Sequence, residues 1–391
     1  MEPNTYRGSP KGSPNKQIFH EPIKKGNKIE MNRKKSFKEY IALTLALTIS
    51  GTALISCSQQ VSQSEKMRDN AISQMKKGDY KEAIKTLESA LEKDKAAKDK
   101  NGTGVGEDLY LLGMANRKDG KLDDSEKSLE ESIELRQKAL KPGLLKLAKS
   151  LNELGNTLAD KGKYEEAEEL IRQALTVREE NLSQDSVEVA ESQNSLGRLY
   201  VMAGFYDEAQ PLLSQAQSTF DKHESEVDTE KRADVRTNLG TLYFSQGKAD
   251  KAEPLFRWAL ESYESEFGKE HPKTANAMNN LAEVLRAENK LSDAEKLYNG
   301  AIAIYKKEKL TSKNEYASTL NNLAVLYHSQ GEYGKAEPLY KEAIKIYEKT
   351  DSDKSPQLAN ILNNYAELYK STNRPEEGVK LAERAGRIMT Q

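Results

Sequence analysis

The stretch LAVLYHSQGEYGKAEPLYKEAI, Leu323 to Ile344, decides the fold. Together with Leu320 just before it, Leu323, Ala324 and Tyr327 fall at helical spacing, which places them on one face of a helix. Gly331 ends that helix with the residue best suited to a left-handed cap, and a second apolar stripe then opens at Ala336 and Tyr340. The small residues Ala324 and Ala336 let two antiparallel helices approach closely, and Tyr340 fills the space beside them.

The theme recurs along the chain, as in LNELGNTLADKGKYEEAEELIRQAL, LGRLYVMAGFYDEAQPLLSQAQ, LGTLYFSQGKADKAEPLFRWAL and LAEVLRAENKLSDAEKLYNGAI. A small residue stands at Ala71, Gly113, Gly155, Gly197, Gly240, Ala282, Ala324 and Ala366, a spacing of 42 residues with one step of 43. A second follows twelve residues later, from Ala83 to Gly378, and between them lie cap residues such as Gly162, Gly204, Gly247, Asn289 and Gly331. No single pair can bury its stripe alone, so the pairs must stack. The expected fold is all-α, an α-solenoid of about eight antiparallel helix pairs over residues 65–391, right-handed by the resemblance that follows.

These repeats resemble the tetratricopeptide repeat, and the 42-residue period with the LNNLA opening is most similar to the variety found in kinesin light chains and their bacterial relatives. FGKEHPKTANAMNNLAEVL, Phe267 to Leu285, carries that likeness furthest. Departures fall at Ser125 and Ser132, where alanines are usual, and at Pro375 and Gly378 in the eighth unit, which is expected to serve as the end cap.

Function in a solenoid is sought on faces the core does not use. A second stripe runs along each first helix: Asn276, Asn280 and Glu283 in the sixth unit, Asn360, Asn364 and Glu367 in the eighth, with Asp234, Asn238, Ser318 and Asn322 at matching places. Asparagine is a poor helix former, so its recurrence asks for a reason. By the resemblance, first helices line a concave groove, and Asn238, Asn280, Asn322 and Asn364 form an amide ladder that holds an extended partner segment, with Asn276 and Asn360 alongside. The competing reading gives these amides to neighbouring helices. Ser195 and Glu153 take the place in earlier units, which puts the expected grip in the carboxyl-terminal half. Arg198, Arg286 and Lys370 lie near this face without forming a cluster.

The amino-terminal region has a different logic. Basic Arg33, Lys34, Lys35 and Lys38 precede an apolar run from Tyr40 to Ser56, the order of an export signal and too interrupted by Thr, Ser and Gly for a spanning helix. Leu54-Ile55-Ser56-Cys57 resembles the lipobox of bacterial lipoproteins, which implies lipidation of Cys57 and cleavage before it. Acyl chains anchor stably when two or more act together. Residues 1–30 read as a disordered extension or a misassigned start, 31–56 as a signal peptide beginning at Met31, and 57–64 as a flexible tether. Ser58 is not the Asp that retains lipoproteins at the inner membrane of enteric bacteria, so the resemblance implies an outer-membrane site facing the periplasm.

Composition closes other routes. With 60 basic and 62 acidic residues there is no basic field for nucleic acid, and a chain starting at Cys57 carries a net charge of about −8. His223, His271 and His328 lie far apart without metal spacing, and Cys57 is the sole cysteine. NGTGVG, 101–106, follows no strand and reads as a connector, not a phosphate loop. Recurrent Tyr80, Tyr164, Tyr206 and Tyr333 read as structural, and the many glutamates as solvated helix faces. Neither an enzyme, a cofactor nor a small-molecule substrate is expected. The expected role is a membrane-anchored scaffold for protein partners; the rival is a cytoplasmic scaffold or regulator of the kinesin light chain type without a lipid anchor. Relatives built this way serve pilus secretins, polysaccharide export or barrel assembly, and the residues do not choose among them.

Overall fold

The computed structural model describes residues 51–97, 103–137, 141–311, 313–349 and 355–389, and the solenoid lies in the compact unit Ile55–Gln391. Among the described residues there are sixteen helices and no strand. They form eight consecutive pairs: α1 (Gly51–Lys76) with α2 (Tyr80–Ala96), α3 (Thr103–Asp119) with α4 (Leu122–Gln137), α5 (Lys141–Asp160) with α6 (Tyr164–Asn181), and α7 (Val187–Ala203) with α8 (Tyr206–Lys222). The remaining pairs are α9 (Thr229–Ser245) with α10 (Ala249–Phe267), α11 (Pro272–Ala287) with α12 (Leu291–Lys307), α13 (Asn314–Ser329) with α14 (Tyr333–Lys349), and α15 (Pro356–Ser371) with α16 (Pro375–Met389). The all-α solenoid expected from the repeats is what the chain adopts.

The turn inside each pair is set by one left-handed residue. Gly78, Gly120, Gly162, Gly204, Gly247, Asn289, Gly331 and Asn373 all have φ between 60° and 85°. At Asn289 and Asn373 asparagine takes the conformation that glycine holds elsewhere, as its short polar side chain permits. The recurrent tyrosines 80, 164, 206 and 333 each open the second helix of a pair.

Close approach within the pairs depends on the small residues. A Cβ placed on Gly113 would lie 2.5 Å from Leu129, and one on Gly155 2.5 Å from Ile171 and 3.0 Å from the Ala167 carbonyl oxygen. The core follows as three buried clusters, bridged by half-buried Tyr110 and Tyr243. Apolar packing thins at the second pair, where the departures from the repeat pattern fall. Ser125 Oγ donates to the Gly113 carbonyl (2.8 Å) and lies 3.0 Å from Thr157 Oγ1, while Ser132 Oγ donates to the Gly106 carbonyl (2.8 Å). Both hydroxyls are fully buried and satisfied, so serine there replaces apolar packing with hydrogen bonds.

Two boundaries differ from the sequence reading. The backbone of residues 57–64 belongs to α1, and Ser64 is buried, because neither Gly nor Pro stands between Cys57 and Lys76 to break the helix. The expected connector NGTGVG runs into α3, which starts at Thr103. Its Gly104 sits where any Cβ would strike Asp94 and Arg68, so glycine there admits a buried charge cluster: Arg68 bonds Asp94 and lies 2.7 Å from Asp108. The extension 1–30, most of the signal segment 31–56 and the Cys57 side chain lie outside the described residues.

The stack curves until its start meets its later turns. Lys313 Nζ, at the head of α13, donates to both the carbonyl (2.9 Å) and the carboxylate (2.5 Å) of Asp119 at the end of α3, 194 residues away. Lys118 lies 3.6 Å from Glu230, and the backbone of Gly78 faces the His271 ring. The first two pairs thus touch pairs five to seven.

Candidate functional site

That curvature forms a concave cavity of about 360 Å³ lined mainly by the first five pairs, with Lys273 of α11 added from the sixth. First helices supply most of its wall, because the inner side of the stack is the side their non-core stripe faces. Its apolar lining includes Ile72, Met75, Tyr110 and Met114. Its lining also includes a cluster of amides and a hydroxyl: Asn152, Asn156, Asn194 and Ser195. Asn152 and Asn156 both donate through Nδ2 to Ser195 Oγ, at 3.0 and 3.2 Å. Asn152 is only 8 % exposed, yet its Oδ1 has no hydrogen-bond partner among the described residues.

Charges ring this wall in pairs. Arg117 bonds Glu153 (2.6 Å) and Asp160 (3.0 Å), and Arg198 reaches Asp160 from the other side (2.9 Å). Burial works to raise the Asp160 carboxyl, but the two guanidiniums outweigh it and hold it at about 2. Glu230 accepts from Lys273 (2.5 Å) and faces Lys118; burial again opposes ionisation and the two ammonium groups prevail, lowering its pKa. Arg178 donates to the Glu188 carbonyl (2.6 Å) and Ser192 Oγ (2.9 Å), and Glu191 is shared between Arg178 (3.3 Å) and Lys231 (2.8 Å). Lys76 and Lys149 stand apart from these pairs, both exposed on the cavity wall and without a carboxylate in salt-bridge range among the described residues. Seven basic and five acidic side chains line the space.

The asparagines singled out by the repeat pattern lie mostly beyond this cavity. Asn364 Nδ2 donates to Asn321 Oδ1 (3.1 Å), Asn321 to Asn322 (3.2 Å), Asn322 to Asn279 (3.1 Å), and Asn279 to Asn280 (3.4 Å). They form one relay from pair to pair, and Asn238 makes the same kind of bond to Asn194 at 2.9 Å. The amide nitrogens of Asn238, Asn279, Asn321, Asn322 and Asn364 each spend one proton on the stack, keeping a second donor, while Asn280 only accepts. Asn276 accepts from the Tyr305 hydroxyl, the register at which Asp234 accepts from Tyr263 (2.9 Å) and Ser318 meets Tyr347 (3.1 Å). Asn276 and Asn360 are exposed; Asn238, Asn280, Asn322 and Asn364 are half-buried.

Lys149, Asn152, Asn156 and Asn194 were passed over by the sequence reading because Glu153 and Ser195 break the asparagine pattern in their units. The signal was one residue away: Asn152 and Asn194 occupy the position just before those breaks, where Asn279 and Asn321 stand in later repeats. Of the other cations near this face, Arg198 is committed to Asp160 and Lys370 to Glu367 (2.6 Å). Among the described residues no three His, Cys, Asp or Glu side chains converge as metal ligands, and no helix is long and apolar enough to cross a membrane.

The family model for the tetratricopeptide repeat matches residues 63–138, 146–222, 231–307 and 315–391. The chain belongs to the tetratricopeptide repeat family. The Rap conjugation gene regulator of plasmid pLS20, solved in complex with the Phr* peptide, is similar in fold: TM-score 0.60 and 14% identity over 85% of this chain and 95% of that one. A Rap protein complexed with competence and sporulation factor aligns with TM-score 0.59 and 15% identity, covering 84% and 98%. A putative kinesin light chain from Podosopora anserina with nearly identical TPR-like repeats aligns at 24% identity over 53% and 97%, with TM-score 0.43. No curated protein matches the sequence.

Proposed function

We propose that this tetratricopeptide repeat protein is a bacterial lipoprotein, anchored through acylated Cys57 at the periplasmic face of the outer membrane, that holds partner protein segments in the concave groove of its repeats. The observation that carries the binding role is the amide relay along the first helices. Its members Asn280, Asn322 and Asn364 are half-buried on the inner side, tied to one another, and retain hydrogen-bonding capacity for an extended backbone. Such a ladder grips main chain and leaves sequence choice to the charges around it. The two Rap proteins, one in complex with the Phr* peptide and the other with competence and sporulation factor, support a ligand-holding role for this fold. No catalytic step belongs to this reading. The anchor rests on the lipobox at Leu54 to Cys57 behind the basic and apolar segments.

Metabolic labelling with a palmitate analogue, comparing wild type with Cys57→Ala, tests the anchor: label and membrane fractionation are expected for wild type only. Label on neither form would return the chain to the cytoplasmic scaffold reading. For the groove, Asn280→Ala with Asn322→Ala is expected to weaken capture of a native partner several-fold at unchanged helicity. Equal capture would assign the relay to stacking alone.

A further inference from the structure

The seam where the start of the stack meets its later turns holds a titratable group that the binding role does not use. A second cavity, of about 740 Å³, opens there between the Lys77–Asp79 turn, the link from Phe267 to Pro272, and Glu308 and Leu310 after α12. His271 lines it, its imidazole stacked on Phe267 with ring centres 4.8 Å apart. Nδ1 caps α11 by accepting from the Lys273 N–H at 3.2 Å, so the neutral ring carries its proton on Nε2. That Nε2 is buried without a hydrogen-bond partner among the described residues, and it faces the first pair: a methyl on Gly78 would lie 3.9 Å from it. A second proton enters only at Nδ1, where it opposes the Lys273 N–H, removes the cap and adds charge to the positive end of α11. The surrounding charges nearly cancel. Lys77 and Asp79 come from the first pair, Lys269 from the link and Glu308 from the end of α12. Glu270 is paired with Lys307, and Lys273 with Glu230 of α9, which also faces Lys118. Burial, and after it Lys273, outweighs the Lys77 backbone, Glu230 and Glu308, and lowers the imidazole pKa below its ordinary value.

We propose that His271 is a pH switch for closure of the stack: once protonated, it gives up its helix cap and releases the seam between the first pair and the later turns. In the closed ring, Phe267 and the Gly78 turn hold the imidazole from two sides. Opening returns Nε2 to water and lets the ring turn Nδ1 away from the Lys273 N–H. The closed form therefore binds fewer protons than the open one. Closure is at full strength above about pH 6.5, the ordinary histidine value, and weakens as pH falls through the range below it. Two other groups move towards that range. Burial raises Asp108, in the cluster with Arg68 and Asp94, to about 6, and it raises Asp234, which accepts from Tyr263. Neither supplies the cap of α11, so substitution of His271 separates them from the switch. The inference concerns closure alone and does not depend on what the groove holds or on the anchor.

The test places spin labels on either side of the seam, at Lys81→Cys in α2 and Lys306→Cys in α12, in the full chain carrying Cys57→Ala. Cys57 is the sole native cysteine and both label sites are exposed, so labelling is specific and leaves the core untouched. Double electron–electron resonance then reads the closed and open populations as short and long distances. Between about pH 7.5 and about pH 5.5 the closed-to-open ratio is expected to fall roughly threefold or more. His271→Asn still caps α11 but cannot titrate, and it is expected to keep at the lower pH the distribution it has at the higher one. By NMR the His271 imidazole is expected to titrate below about 6.5. A wild-type distribution that ignores pH overturns the proposal, as does an imidazole that titrates at or above the ordinary value. An equal response in His271→Asn also overturns it, by assigning the opening to Asp108 or Asp234.

Discussion

At the scale of single residues, glycine has two separate jobs in this chain, and they answer differently to substitution. Gly155 in α5 is required for contact, since an added methyl would sit 2.5 Å from Ile171 Cγ1 and 3.0 Å from a backbone carbonyl that cannot step aside. Alanine gains roughly 1 kcal/mol in helix propensity, but overpacking costs about 1–3 kcal/mol, so Gly155→Ala is expected to destabilise by about 1 kcal/mol in urea unfolding. Gly334 in α14 has open space around it and an ordinary helical backbone, so Gly334→Ala is expected to stabilise by roughly 0.5–1 kcal/mol. If the two variants shift the midpoint alike, the close-approach account of the 42-residue pattern is wrong. Asp160 offers a pH signature. Its folded pKa, about 2, lies below the unfolded value of about 3.9, so its stabilisation is present at neutral pH and is lost as pH falls from about 4 towards 2. The stability gap between wild type and Asp160→Asn is therefore expected to be widest near pH 7 and to close in that acid window. Small residues and caps were legible in the sequence because each answers a local demand, a positive φ or a close contact. Asp160 was not, because its two arginines come from the preceding and the following pair.

At the scale of the helix pair, one register near the end of the second helix holds one of two hydrogen-bonding side chains in five of the pairs. Arg136 and Arg178 occupy it in early pairs, Tyr263, Tyr305 and Tyr347 in later ones, and each reaches across to a neighbouring first helix. The arginine is the more deeply committed. Arg178, 2 % exposed, bonds a carbonyl, a hydroxyl and Glu191, whereas the Tyr305 hydroxyl bonds Asn276, which is itself exposed to water. Arg178→Met is therefore expected to cost roughly 3 kcal/mol, tempered because Lys231 still neutralises Glu191, and Tyr305→Phe about 1 kcal/mol. Comparable losses for both would show that ring packing, not the hydrogen bond, sets the tyrosine contribution. Apolar periodicity read from sequence recovers the tyrosines and skips the arginines, since a guanidinium inside a core stripe looks like a break until its partners are known. The serines of the second pair are legible only as departures from the usual alanines, because the carbonyls they bond, those of Gly113 and Gly106, come from the first helix of the pair.

At the scale of the whole solenoid, curvature accumulates where no spacing rule reaches. The asparagine relay was visible from sequence because it repeats with the period, but the cavity draws its wall from six first helices, and the stack that shapes it brings Lys313 to Asp119 across 194 residues. That contact is a latch between the start of the stack and its later turns. Asp119 is 4 % exposed in its side chain and Lys313 23 %, so the pair is shielded more than a surface ion pair, yet it remains within reach of salt. Lys313→Ala is expected to open the ring, raising the radius of gyration measured by small-angle X-ray scattering, and about 1 M NaCl is expected to move wild type in the same direction. The latch also bears on binding. A ligand that contacts both sides of the cavity binds the closed ring better than the open one, and its apparent affinity scales with the closed fraction. Lys313→Ala is thus expected to weaken capture of a partner segment although Lys313 lies outside the cavity wall, and saturating partner is expected to return the variant towards the wild-type radius. A variant that opens yet binds as wild type would show that the cavity residues act without closure, leaving the latch a purely structural contact.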